Sequence, residues 1–97
     1  MNELSFEWDA KKAASNAAKH GITFEEAESV FYDDSALVIP DPDHSEDEER
    51  FIIMGQSELS RVLVVIHCFR KAGSSIRIIS ARKAGTKEQQ SYWEKRS

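Results

Sequence analysis

The chain has 97 residues, 40% of them hydrophobic and nine of them aromatic, which suits one domain with a modest core, 1–97, and leaves no room for a second. That composition excludes wholesale disorder, and a lone Cys68 excludes an internal disulfide and suits a reducing cytoplasm. The net charge of −4 hides a division: residues 1–59 carry 15 acidic and 4 basic side chains, and residues 60–97 carry 9 basic and 2 acidic.

The acidic start MNELSFEWD is unlike a secretory signal, and no apolar run approaches the roughly 18–20 residues that span a membrane. LSFEW alternates apolar and polar residues, which predicts a first strand with Leu4, Phe6 and Trp8 on one face. Asp9 is placed to cap a helix that follows. Its Ala10, Ala13, Ala14, Ala17 and Ala18 form a stripe of methyl groups suited to close packing, and Gly21 ends it. Lys12, Asn16 and His20 run beside the alanines at i, i+4, i+8. That polar stripe either lines a groove or ties the helix to the sheet, and the second reading is preferred because no nucleophile lies in it.

Thr23 with Glu26 reads as a capping box for a second helix, with Ile22 and Ala27 as its staple and Phe24, Ala27, Val30 and Phe31 as its apolar face. Ala36 to Ile39 is a short strand stopped by Pro40, and DPDHSEDEE over 41–49 is an acidic turn. That turn lacks the spacing of a calcium loop and reads as a solvated hairpin tip. Strands follow over Arg50–Gly55, Val62–Arg70 and Ile76–Arg82, joined by short turns. Thr86 with Gln89 predicts a second capping box for a C-terminal helix. The order β-α-α-β-β-β-β-α, with short hairpins between the later strands, predicts an α+β fold: an antiparallel sheet, two helices on one face, and the last helix at an edge.

Alternation along SIRIISARK places Ile76, Ile78, Ser80 and Arg82 on one face, and Arg77, Ile79, Ala81 and Lys83 on the other. The strand leaves the core carrying Ser80 and Arg82 into a polar place, where the planar fork of an arginine suits a phosphate. The alternative is a solvated strand end with ion pairs to the acidic half. His67, on the neighbouring strand ahead of Phe69 and Arg70, has the titration range of a general base, or is a core histidine. Tyr92 supplies a hydroxyl, or docks the last helix with Trp93.

F-E-W-D-x-x-K-x-x-x-N-x-x-K-H-G-I-x-F-E-E-A, then P-D-x-D-H-x-x-x-E-E-R-F, then R-I-I-S-A-R-K-A with a downstream tyrosine, together resemble the BrnT family. Its members are the toxin halves of bacterial type II toxin–antitoxin modules, and the resemblance runs from Phe6 to Tyr92. It implies a fold like the RelE ribonuclease toxins and an endoribonuclease that arrests translation. It also implies a ribbon-helix-helix antitoxin of the BrnA kind, through which operator DNA is bound. Carried over by position, Ser80 and Arg82 match the last-strand motif and Tyr92 the tyrosine after it. His67 and Arg77 complete the expected catalytic set, with Arg50, Lys83 and Arg70 on the RNA and no metal or cofactor. Folds of this kind also include gyrase poisons, and a module that only binds an antitoxin is a further alternative.

Overall fold

A computed structural model describes residues 4–42, 49–70 and 73–96. Strand β1 is Phe6–Glu7, and the helices α1 (Ala10–His20) and α2 (Phe24–Ser29) follow, α2 running into a 3₁₀ turn at Val30–Tyr32. Then come β2 (Leu37–Pro40), β3 (Arg50–Gln56), β4 (Val62–Arg70), β5 (Ser75–Lys83) and the C-terminal α3 (Thr86–Arg96). The strands form one sheet in the order β1-β5-β4-β3-β2. β2 to β5 pair antiparallel, as their short connections require. β1 pairs parallel with β5, which is possible because both helices lie between the two strands in sequence.

The helices start and stop where the local chemistry dictates. Asp9 accepts from the backbone N–H groups of Lys11 and Lys12, and Gly21 closes α1 at φ +71°, a conformation that favours glycine. Thr23 accepts from Glu26 N–H, but the capping box stops there. The Glu26 carboxylate turns instead to Arg61 and Ser57. The expected box at Thr86 is displaced by one residue: Gly85 occupies the cap, its carbonyl takes the first helical bond from Gln89, and Glu88 reaches back to its N–H.

α1 and α2 cover one face of the sheet. Ile22, Phe24, Ala27 and Val30 pack with Ile53, Leu63, Val65, Ile78 and Ala81, and Phe6 and Trp8 close the edge of this core. The alanine stripe of α1 does not pack as expected, since Ala10, Ala14 and Ala18 are exposed. The inward face is Ala13, Asn16, Ala17 and His20, and Asn16 is its anchor. Its amide donates to the carbonyls of Ile22 and Ala81 and accepts from Ala81 N–H, at 2.8–3.1 Å. β1 is too short to reach this part of β5, so the side chain stands in for a missing strand partner. Lys12, also in the predicted polar stripe, stays exposed.

α3 packs on the opposite face rather than at an edge. Tyr92 and Ala84 meet Val62 and Val64, with Ile52 and Met54 against them. At Gly55 an added Cβ would stand 2.9 Å from Ala36 Cβ and 3.0 Å from Asp33 Oδ2. The chain after the 3₁₀ turn therefore presses directly on β3, which holds Asp33 where α3 can reach it. The Asp33 carboxylate accepts from Gln56 N–H at 2.7 Å and from the Tyr92 hydroxyl.

One irregularity decides where the polar residues point. Ile66 is opposite Ser80 but His67 is opposite Ile78, so Ile79 is an extra residue in β5, a β-bulge. Strict alternation along β5 therefore fails. Ile76 and Ile78 face the helices, and so do Ala81 and Lys83 beyond the bulge, while Arg77, Ser80 and Arg82 share the opposite face.

Candidate functional site

Cross-strand partners in a sheet point to the same side, so the register gives the layout of the face that α1 and α2 leave open. One row is Arg50–Cys68–Arg77, the next Ile39–Ile52–Ile66–Ser80, the next Leu37–Met54–Val64–Arg82. The face has an apolar floor of strand side chains and a polar margin along β5. Arg70 continues the same alternation at the far end of β4, opposite Ser75. Five of the eight predicted residues (Arg50, Arg70, Arg77, Ser80 and Arg82) thus lie on one surface. Between that margin, β2–β3 and the first turns of α3 runs a groove of about 380 Å³. Leu37, Ile39, Ile52, Met54 and Val64 line it, with Arg82, Lys87, Glu88 and Ser91 at its side.

The arginines are held by carboxylates of different origin. Arg82 Nη1 and Nη2 donate to the two oxygens of Glu88 at 2.8 and 2.9 Å, a bidentate pair near the surface. The Arg82 hydrogen bonds, with a further one from Gly85 N–H, pull the Glu88 carboxyl down to about 2. The same pairing raises the Arg82 guanidinium above its usual value. Arg77 Nη1 donates to Glu7 Oε2 at 3.2 Å, and Ser75 Oγ donates to Glu7 Oε1 at 3.1 Å. The expected alternative of ion pairs to the acidic half therefore holds for Arg77, whereas the partner of Arg82 comes from the basic segment.

Of the remaining three predicted residues, His67 and Lys83 are on the helix side, and Tyr92 is buried beneath α3 on the same side of the sheet as the arginines. His67 is 1% exposed on the helix side of β4, ringed by Phe31, Phe51 and Phe69 at centroid distances of 4.7–6.1 Å. Burial pushes its pKa below the ordinary histidine value. Tyr92 is wholly buried. Burial, and then the neighbouring Asp33 carboxylate, raise its hydroxyl above the ordinary tyrosine value, and Arg96 donates to the same oxygen. Lys83 sits on the far side of β5, in a separate recess with Ser60, Arg61, Gln89 and Trp93. As placed, both side chains are buried, His67 among phenylalanine rings and Tyr92 with its hydroxyl bonded to Asp33 and Arg96.

The sequence reading missed the bulge and the two carboxylates. The signal for the bulge was present: polar residues at 77, 80 and 82 are spaced three and then two, a break in period 2 that an extra residue explains. Glu88 was legible as the third helical residue reaching back to a cap. Among the described residues no three His, Cys, Asp or Glu side chains gather as a cation site. The acidic turn lies largely outside them, at 43–48. No described helix is long and apolar enough to cross a membrane.

An α+β domain whose five-stranded sheet is covered by α1 and α2 on one side and carries an arginine-margined groove beside α3 on the other has the fold of a ribonuclease toxin. The family model described as "Ribonuclease toxin, BrnT, of type II toxin-antitoxin system" matches residues 8–88, and the chain belongs to that family. The crystal structure of the Brucella abortus ribonuclease toxin BrnT superposes with a TM-score of 0.66 at 26% identity, over 87% of this chain and all of that one. No curated protein sequence matches the chain. The chain is accordingly a member of a ribonuclease toxin family whose modules include an antitoxin.

Proposed function

We propose that the chain cleaves RNA endonucleolytically on the open face of its sheet, arresting translation, and that a ribbon-helix-helix antitoxin of the BrnA kind neutralises it. Operator DNA is reached only through that antitoxin, and the pair acts in the cytoplasm. The observation that carries this reading is the gathering of Arg50, Arg70, Arg77, Ser80 and Arg82 on one face of a ribonuclease-toxin fold. Phosphate binding is the chemistry such a face performs. Ser80 lies between Arg77 and Arg82 on that surface, placed to hydrogen-bond a phosphate oxygen that the flanking guanidinium groups neutralise.

The reaction we propose is attack of the ribose 2′-hydroxyl on the adjacent phosphate, with expulsion of the 5′-oxygen and no metal. Arg82 stabilises the charge that grows on the pentacoordinate phosphorus, assisted by Arg77 and Arg50. A preorganised donor of this kind is worth about 10²- to 10³-fold in rate. The burial of His67 and Tyr92 favours a mechanism in which charge stabilisation and alignment, rather than a protein imidazole or phenol, supply most of the acceleration. The apolar floor of the groove beside Arg82 suits the face of an unpaired base.

The test is to induce the chain without antitoxin, wild type beside Arg82→Ala, and to map RNA 5′ ends by primer extension. New ends with wild type alone support both the nuclease and the Arg82 site. New ends from both variants keep the nuclease and move the site. Growth arrest with no new ends overturns the nuclease reading in favour of another target, gyrase first, and no growth arrest leaves an antitoxin-binding module.

A further inference from the structure

The guanidinium of Arg82 has five N–H donors, and their partners can be assigned one by one. Glu88 takes one from Nη1 and one from Nη2. The second donor of Nη1 goes to the carbonyl of Lys83 at 3.2 Å. Two donors remain, Nε–H and the second Nη2–H. They lie on the same edge of the planar group and point in parallel, so they form the guanidinium's second fork. A phosphate accepts in the same bidentate geometry as a carboxylate. The edge that Glu88 leaves open is therefore the one a phosphate needs.

Glu88 is itself anchored. Its Oε1 accepts from Gly85 N–H at 2.8 Å, at the cap of α3. The chain of contacts runs from the helix terminus through Glu88 to Arg82, on a side chain that is 46% exposed. An unrestrained arginine at such exposure samples many rotamers, with about 2 kcal/mol of rotamer entropy to lose when it binds. The Gly85 bond caps α3, but an exposed ion pair adds little to fold stability, so stability does not account for the bidentate hold on Arg82.

We infer that Glu88 is a positioning residue: it fixes the plane of Arg82 so that the Nε–Nη2 fork faces the open sheet surface and receives the scissile phosphate. The inference rests on Arg82 being in the RNA site, as proposed above. The opposite role would be competition, with Glu88 occupying the guanidinium in place of RNA. The two differ in sign.

The experiment is single-turnover and steady-state cleavage by the purified chain of a short single-stranded RNA carrying a mapped cut site, in wild type, E88Q, E88D, R82K, R82A and the double variant E88Q/R82K. Glutamine keeps the shape but turns an N–H toward one guanidinium donor. Misplacement of a catalytic group by an ångström costs up to about a hundredfold. E88Q is therefore expected to lower kcat at least about tenfold and leave KM within about twofold, both read without urea at a temperature where its denaturation curve shows the variant fully folded. E88D, which keeps the charge, recovers part of the loss. R82K has no second fork and falls toward R82A, and adding E88Q to R82K costs nothing further, because the two act as one unit.

E88Q cleaving within twofold of wild type, or faster than wild type, overturns the inference, the latter showing competition. An equal loss from E88Q in the R82K background also overturns it, by placing the effect outside Arg82. R82A cleaving like wild type fails the site reading first, whatever E88Q does, and takes the inference with it.

Discussion

The two faces of the sheet are built from the same strands and treat polar side chains in opposite ways. On the helix face two buried polar side chains of the core, Asn16 and His67, are enclosed. Asn16 satisfies the backbone of Ala81 and Ile22, and His67 is stacked among phenylalanines. At the border of that face, Glu26 binds Arg61 and Ser57, and its carboxyl is held below the ordinary range chiefly by the Arg61 hydrogen bonds. On the open face the arginines stand at the margin, and carboxylates restrain Arg77 and Arg82 while leaving part of each group facing solvent. The same residue types thus serve folding where water is excluded and remain available for a polyanion where it is not. A single extra residue at Ile79 sorts Arg77, Ser80 and Arg82 onto the second face.

If this division is right, changes on the helix side should lower stability without touching the chemistry of the folded protein. The largest effect is expected from Glu26→Ala. Its side chain is 4% exposed and its removal strands Arg61 and Ser57, so the fold should lose about 3 kcal/mol, the lower end for breaking a buried pair. Asn16→Ala should follow at about 2–3 kcal/mol, since each orphaned buried group costs about 1–3. Both are read as urea midpoints, with cleavage of RNA measured under conditions where the variants are folded. Cleavage falling in step with neither midpoint nor folded fraction would mean that the helix side reaches the reaction. Tyr92→Phe, beneath α3 on the other face, sharpens the comparison at smaller cost. It deletes one hydroxyl bonded to Asp33 and Arg96, about 1 kcal/mol, and should leave kcat within about twofold. A collapse of kcat at nearly unchanged stability would restore Tyr92 to the catalytic set.

Much of this division can be read in the sequence, and the parts that cannot have identifiable causes. Capping by Asp9, Gly21 and Thr23, the hydrophobic runs of β3 to β5 and their short turns are local signals, and local chemistry decides them. Asn16 was legible as a tie between helix and sheet because an amide within an apolar-faced helix needs a partner; which backbone it meets, 65 residues on, depends on tertiary packing. The side of α3 was not legible, because its own sequence is polar nearly all round and Tyr92 alone is buried in it. For the site, the motif residues of β5 were recognisable, but their common face depended on a bulge. Histidine and tyrosine invite a catalytic reading by their chemistry, while their burial is a property of the assembled sheet.

His67 offers the most discriminating test on the helix side, because a catalytic histidine and a core histidine respond to pH differently. Burial lowers its pKa in the folded state, while the unfolded chain titrates near 6.5. Above that value both states are neutral and His67 adds no pH dependence. Below it the unfolded chain binds the proton first, so stability declines as pH falls from about 6.5 toward the depressed folded value, at up to about 1.4 kcal/mol per pH unit. The carboxylates held low by their hydrogen bonds, Glu26 and Asp33 by direction and Glu88 at about 2, act in a separate window. Their contribution is complete above their unfolded pKa values near 4 and is lost only as pH falls below them. His67→Phe, which suits the surrounding phenylalanine rings, should therefore flatten the decline in stability as pH falls below about 6.5 while leaving the carboxylate limb in place. The same variant should keep kcat and its pH profile in the folded range. A flattened stability curve with unchanged cleavage fixes His67 as a core residue, whereas loss of a pH-rate limb near neutrality would make it the general base despite its burial.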